Sequence, residues 1–501
     1  MRKNVARSAW GAVLLAALTL MPGRAVAQPD PRAPSVDVAE RIRRVETGLA
    51  THNVVLGGPS YTIGERLRFY GVPGVSVAVI EGGEIAWARG WGEVEAGSGV
   101  PVDTSTLFQA ASISKPVAAA GALRLVEQGR FDLDSDVNSL LRSWKVPENR
   151  FTETEKVTLR RLLSHSAGTT VHGFPGYAAG AAVPSVVELL DGVAPANTEA
   201  VRVDTVPGSL WRYSGGGVSI VQLVMMDVTG RSFAELMREL VLEPTGMRHS
   251  TYAQPLPEER LADAATGHRA DGTPIAGKHH TYPEQAAAAL WTTPSDLARF
   301  AIEIQRAFSG SEDRVLSPAM ARRMLTPEAG SYGLGFGLHG GAEALWFEHG
   351  GSNRGFRCFI AVHAERGDGA VIMTNGNGGG ELAMEILRGI AREHDFSRFQ
   401  PIVRDVIDLD GAVLAALAGD YSAAADEGPP GPVLRLRTER GVLRADVPPA
   451  GWTDRMLHAS PDTTFFFLEN AAQITFERDD TGAISGAVIS GVGQPIRLVR
   501  R

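Results

Sequence analysis

Ser112 and Lys115 stand three residues apart in the stretch "QAASISKPVAAAGALRLVEQG", residues 109–129. Only five of the chain's 49 basic residues are lysines: Lys3, Lys115, Lys145, Lys156 and Lys278. A serine hydroxyl is a poor nucleophile until a base takes its proton. A desolvated lysine beside other positive charge can release its proton near neutral pH, whereas arginine stays charged. That difference gives a reason for a lysine at 115 in a chain that otherwise uses arginine. If residue 112 begins a helix, positions i and i+3 share one face. Pro116 fits such a start, because a first-turn N–H has no partner to lose. Backbone N–H groups at the same helix end would point at an oxyanion formed on a substrate of Ser112. The spacing alone also arises by chance, so the pair needs support from the elements around it.

Those elements read as α+β. Residues 36–52 carry Val38, Ile42, Val45 and Leu49 at helical spacing. "VSVAVIEGGEIAWARGWGEV" is two β-rich runs around Gly82-Gly83, a hairpin signal. The segment 109–129 is a helix closed by Gly129. Residues 130–300 are mostly helix and loop, with apolar runs such as "VSIVQLVMMDVTG" and "PSDLARFAIEIQ". Strand signals return after 330 in "YGLGFGLHG", "ALWFEHGG", "GFRCFIAVHAE" and "GAVIMTNG", and "ELAMEILRGIARE" closes this part as a helix. An antiparallel sheet flanked by helices, with a helical subdomain, follows. After about residue 400 short alternating strands and turns define a small all-β C-terminal domain, barrel-like or a curled sheet, with "DEGPPGP" as a loop tip.

The domain plan is therefore a signal peptide at 1–27, a main domain at 28–400 and the β domain at 401–501. The signal reading rests on Arg2, Lys3 and Arg7, the short apolar run "GAVLLAALTLM" and the small-x-small "AVA" before residue 28. That run is shorter than a spanning helix needs, so the expectation is an exported, periplasmic or secreted protein with no stable span after cleavage. Cleavage takes four positive charges from a net −8 and leaves −12, which does not steer the chain towards nucleic acid. Cys358 is the only cysteine, so no internal disulfide can form; "FRCFIAV" reads as a buried strand and Cys358 as a core thiol. "KHHTY" at 278–282 lacks a third ligand at metal spacing and reads as a solvated loop. "NGNGGGELAMEI" lacks the lysine of a phosphate loop. No metal or other cofactor is expected.

"SISK" at 112–115, "YSG" at 213–215 and "HGG" at 349–351 occur in that order. With their flanks, among them "LRRLLSHSAGT", "PGSLWRYSGGGVSIVQLV" and "ALWTTPSDLARF", this register resembles the penicillin-recognising serine hydrolases on the class C β-lactamase side, over about residues 38–396. The resemblance implies an acyl-enzyme hydrolase of β-lactamase, D-alanyl-D-alanine peptidase, D-amino-acid peptidase or esterase type, acting on a small molecule or peptide. It implies Ser112 as the nucleophile, Lys115 as the proton acceptor, Tyr213 as a relay to the leaving group and His349 at an edge-strand position that holds Lys or His. Gly350 and Gly351 would let substrate lie along that strand, and the N–H groups of Ser112 and Ser352 would form the oxyanion hole. Two departures stand out. Position 215, where the family's second motif ends in a substrate-contacting Asn, is Gly215, which favours an ester or D-amino-acid-type amide over a β-lactam. The third motif starts with His349 rather than Lys, which implies a preference for acidic substrates that strengthens below the imidazole's pKa, between pH 8 and 5.5. "SHSAG" at 164–168 mimics a nucleophile elbow but follows helix-like "TLRRLL" rather than a strand, so Ser166 is not expected to react. The alternatives are a β-lactam or cell-wall-fragment binding protein with little turnover, and a chain whose β domain binds protein or glycan.

Overall fold

The computed structural model describes residues 36–311, 314–341, 344–423, 433–448, 452–461 and 464–501. The expected signal peptide and the "DEGPPGP" tip lie outside the described residues.

The main domain is built on six strands, β1 (Gly74–Glu81), β2 (Glu84–Gly92), β3 (Gly337–His339), β4 (Trp346–Asn353), β5 (Phe356–His363) and β6 (Gly369–Thr374). They form one antiparallel sheet in the order β2-β1-β6-β5-β4-β3. The β1–β2 hairpin turns on Gly82 and Gly83, with φ of 58° and 76°, a left-handed pair that glycine adopts without a Cβ clash. The interior strand β1 is buried on both faces, and its period of two sorts the side chains. Val75, Val77 and Val79 join one core and Ala78 and Ile80 the other.

The helices that frame the site are α1 (Val36–Thr47), α2 (Ile63–Tyr70), α3 (Ser114–Glu127), α4 (Gly215–Thr229), α5 (Pro294–Ser309) and α6 (Gly379–Glu393). α1 and α6 cover one face of the sheet through Ile42, Val45, Ile386, Leu387 and Ile390. α5 covers the other with Leu297 and Phe300, and continues into the large core that holds α3 and α4. α5 starts as its sequence dictates: Thr293 accepts the Asp296 N–H and Pro294 takes the first helical position.

Three expectations need trimming. The helix expected over 109–129 is α3 at Ser114–Glu127, capped by Gln128 and preceded by the short strand Phe108–Gln109 and a 3-10 turn. The first helix stops at Thr47 rather than 52. In "YGLGFGLHG" only Gly337–His339 pairs as strand. Gly335 there has φ of +105°, and a Cβ on it would come within 2.8 Å of the Ala119 Cβ and 3.1 Å of the Pro116 Cα. This segment is a close-packed bend against α3, not a ladder.

The C-terminal unit is a closed antiparallel barrel of eight strands between Gly419 and Arg500. Gly419–Ala423 pairs with both Leu434–Glu439 and Ile496–Arg500, which closes it. Leu434, Leu443, Phe465, Ile474 and Leu498 fill its interior, as expected for a barrel of this strand number.

Candidate active site

Ser112 lies in a single 3-10 turn, Ala111–Ile113, that runs directly into α3. Ala111 has φ of +50°, a conformation uncommon for a residue with a Cβ. The turn is fixed from both sides. Ala110 N–H donates to Leu290 O at 2.8 Å, Ser114 Oγ accepts the Leu290 N–H at 2.9 Å, and the Tyr252 hydroxyl donates to Ser114 O at 2.7 Å.

One turn on, Lys115 is buried at 4% exposure. Its Nζ donates to Ser112 Oγ at 3.0 Å and to Ala287 O at 2.8 Å, and sits 4.9 Å from the centre of the Tyr213 ring. No carboxylate pairs with it among the described residues. An amine held only by a carbonyl, a hydroxyl and a ring face can exchange a proton with that hydroxyl.

Tyr213 immediately precedes the N-cap of α4. The Ser214 hydroxyl accepts the Gly217 N–H at 2.9 Å and donates to Thr170 O at 2.7 Å. The Tyr213 ring is flanked by His165 at 4.3 Å, His172 at 5.0 Å and His349 at 6.1 Å between ring centres. Gly215 begins α4 against residues 172–174: a Cβ would come within 2.8 Å of the Phe174 ring and 3.1 Å of His172 O.

His349, Gly350, Gly351 and Ser352 follow one another on β4. β3 pairs with β4 only as far as Glu348, so from His349 onward this strand presents an unpaired edge. Gly351 lies against the nucleophile turn, where a Cβ would meet Ala110 O at 2.3 Å. Only glycine allows that approach. Asn353 fastens the far end of β4, donating to Gln109 Oε1 at 2.9 Å and Ala288 O at 3.0 Å.

His349 is buried, and Nδ1 lies 2.6 Å from Gly350 O. A carbonyl only accepts, so Nδ1 carries the proton and Nε2 is an acceptor, buried without a partner. Burial first, then the charge of Lys115, pushes this imidazole down to about 3. The ring is therefore neutral at both pH 5.5 and pH 8, and the pH-dependent acid preference expected from His349 has no source in that window.

These side chains open onto a cavity of about 650 Å³ walled by Trp211, Tyr213, Tyr332, His349 and Phe359. Cys358 also borders it. Its Sγ donates to Ala110 O at 3.1 Å, and burial pushes the thiol pKa up, so it stays a protonated packing group. Arg357 brings the one uncompensated full charge among the described lining residues. Its Nη1 donates to Asn353 O at 2.6 Å and Phe356 O at 2.8 Å, and no carboxylate meets it.

"SHSAG" follows the helix Leu159–Leu163, and Ser166 Oγ is paired with Ser164 Oγ at 3.0 Å, while the Lys115 amine bonds to Ser112 and Ala287. The turn nevertheless supplies a site residue between its two serines. His165 accepts the Ser214 N–H on Nδ1 at 3.2 Å, and burial and Lys115 hold it well below the usual imidazole range. "KHHTY" also needs correction. His279 is not solvated: it packs edge-on against Trp291 at 4.8 Å, and burial lowers it to about 4.

The family model described as Beta-lactamase matches residues 61–393. Penicillin-binding protein 4 of Amycolatopsis lactamdurans is 26% identical over 367 residues, covering 70% of this chain and 93% of that protein. Among solved structures, the octameric penicillin-binding protein homologue from Pyrococcus abyssi superposes with TM-score 0.54 at 18% identity, covering 87% of this chain and 98% of that one. The D-amino acid amidase from Ochrobactrum anthropi SV3 superposes with TM-score 0.55 at 20% identity, covering 71% and 99%. The chain belongs to the Beta-lactamase family, the penicillin-recognising serine hydrolases.

Proposed function

We propose that this chain is an exported serine hydrolase that works through an acyl-enzyme on Ser112. The observation that carries the reading is the 3.0 Å contact between a buried Lys115 amine, in no salt bridge among the described residues, and the Ser112 hydroxyl. In the acylation step Lys115 takes the hydroxyl proton as Oγ attacks the carbonyl carbon. The N–H groups of Ser112 and Ser352 face the resulting oxyanion. The carbonyl re-forms as the bond to the leaving alcohol or amine breaks, and the proton passes to that group by way of Tyr213. Water, giving its proton back along the same route, then releases the acid. His349 offers a neutral acceptor at Nε2 rather than a charge.

The favoured substrate is an ester or a D-amino-acid-type amide rather than a β-lactam. Gly215 provides no side-chain amide, and the cavity walls are largely aromatic. A carboxylate on the substrate would be met by Arg357. The segment 1–27 supports export.

Fluorophosphonate and penicillin, each incubated with the purified protein and mapped by mass spectrometry, test the mechanism. The expected adduct is on Ser112, absent from Ser112→Ala, with labelling at least about 10³-fold slower in Lys115→Arg. An adduct on Ser166, or none, overturns it. p-Nitrophenyl esters, D-aminoacyl anilides and nitrocefin then sort substrates. A persistent penicillin adduct without turnover of any of them would make the chain a binding protein instead.

A further inference from the structure

Glu284 is a buried acid that the mechanism above does not use. It is fully enclosed, at 0% exposure, and neither carboxyl oxygen has a partner on another residue. Leaving an ionised carboxylate in such a place is strongly destabilising, so ordinary stability gives no reason to keep it there.

Its position does. Glu284 O accepts the N–H groups of Ala287 at 3.0 Å and Ala288 at 2.9 Å. This starts the short helical turn Gln285–Ala288, whose Ala287 carbonyl holds the Lys115 amine. Gln222 of α4 clamps the turn on either side of Glu284, accepting the Ala286 N–H at 3.0 Å and donating to Pro283 O at 3.2 Å. Lys115 is the one cation acting on the Glu284 carboxyl, and Tyr177 and Tyr282 are the other titratable groups facing it.

We propose that Glu284 is a positioning residue for Lys115, its protonated carboxyl leaving the neighbouring amine free to accept the Ser112 proton and its ionised form holding that amine as ammonium. Burial pushes Glu284 up to about 8, against the opposing pull of Lys115, so the carboxyl changes charge within the neutral-to-alkaline range over which Ser112 is to be labelled. His165 and His349 are held neutral, Tyr177 is raised, and Tyr282 is pushed up to about 12. Glu284 takes no part in proton transfer. The Ser112 proton goes to Lys115 and on to the leaving group, while the carboxyl exchanges its own proton with solvent as pH changes.

The inference rests on Lys115 as the base of Ser112, and the experiment has one arm that needs that chemistry and one that does not. In the first, fluorophosphonate labelling rates are followed from pH 5.5 to 10. Glu284→Gln cannot ionise, so the lysine loses the anion that retains its proton. The midpoint of the acid limb should fall by on the order of one pH unit, while Glu284→Asp stays with the native profile. An unchanged midpoint in Glu284→Gln, or an equal shift in Glu284→Asp, overturns the proposal. A rate lowered by the same factor at every pH would mark a structural role and also overturns it.

In the second arm, infrared titration of the native protein should show a buried protonated carboxyl band that is lost across pH 7–9. By reciprocity that titration should move upward in Lys115→Met. No such band, or one indifferent to Lys115→Met, sinks the coupling even if Glu284→Gln does not fold. Complete absence of labelling with the band behaving as expected would instead fault the Ser112 reading alone.

Discussion

His349 and Lys115 share one site, but one must cycle its proton and the other must not. The lysine must cycle through its neutral form, and the imidazole must stay neutral so as not to add a second positive charge beside it. Burial under the cavity wall secures the latter. Two outcomes follow. First, the ratio of kcat/KM for a carboxylate-bearing ester to that for its neutral match should be flat between pH 5.5 and 8. It should fall in Arg357→Gln and not in His349→Asn, and a ratio that tracks His349 would refute this assignment. Second, the depressed pKa is a stability statement. In the unfolded chain the imidazole takes a proton as pH drops through its usual 6.5, while in the folded chain it does so only near 3. The stabilisation is complete above pH 6.5 and declines as pH falls between those values, by up to about 1.4 kcal/mol per unit. Between pH 6.5 and 4.5 the native protein should lose about 2 kcal/mol more than His349→Asn in urea unfolding.

At the level of elements, the start of α4 explains a departure visible in the sequence. The triple Gly215-Gly216-Gly217 lets the helix end slide under residues 169–174. Cβ atoms on the three would meet Phe174, Thr170 O and the Thr169 hydroxyl at 2.8, 2.8 and 2.7 Å. The Phe174 ring thus crowds the space that an Asn side chain at 215 would need. Gly215→Asn should cost about 2 kcal/mol by overpacking, and Phe174→Ala in the same chain should recover more than half of it. Additive losses in that cycle would disprove the steric account.

The same comparison shows what a sequence can disclose. "SISK", "YSG" and "HGG" were legible because each is a short run whose neighbours form its own strand or helix. Glu284 was not, because its meaning comes from burial and from α3, more than 150 residues away in the chain. Its one trace is an acid standing at the head of the apolar run "AAAALW". His165 hid inside a motif read only for its serines. The barrel strands announced themselves by alternation, whereas the bend at Gly335 passed for strand because glycine-rich apolar runs look alike until packing against α3 is known.

The whole molecule places its barrel away from the reaction. No described barrel residue lines the cavity that holds Ser112. The barrel docks instead on α2, α6 and the strand at Asn53, whose N–H and side-chain amide donate to Leu468 O, Phe467 O and Asn470 O at 2.8–2.9 Å. Beside this contact a charge network crosses the boundary. Arg66 of α2 makes a bidentate pair with buried Glu385 of α6 at 2.5 and 2.6 Å, and the Tyr70 hydroxyl donates to the same carboxylate at 2.6 Å. Glu469 of the barrel lies 3.8 Å from Arg66. Arg455 of the barrel reaches Glu381 at 3.5 Å and Glu469 at 3.6 Å, with its guanidinium 4.5 Å from the Phe69 ring. Arg455 thus neutralises two partly buried acids, one on each side. Without it Glu381 and Glu469 face each other with less cation between them, a loss of about 2 kcal/mol on the scale of broken part-buried pairs. Since α6 also lends Gly380 and Ala383 to the cavity wall, the question is whether that loss reaches Ser112. α6 is held to the sheet by its own apolar face through Leu382, Ile386 and Ile390, which Arg455 does not touch. Arg455→Ala should therefore lower Tm by a few degrees and raise hydrogen exchange around residues 464–470, while fluorophosphonate labelling of Ser112 stays within about twofold of native. A labelling rate that collapses together with Tm would show that the barrel governs the cleft through α6 rather than bracing the fold behind it.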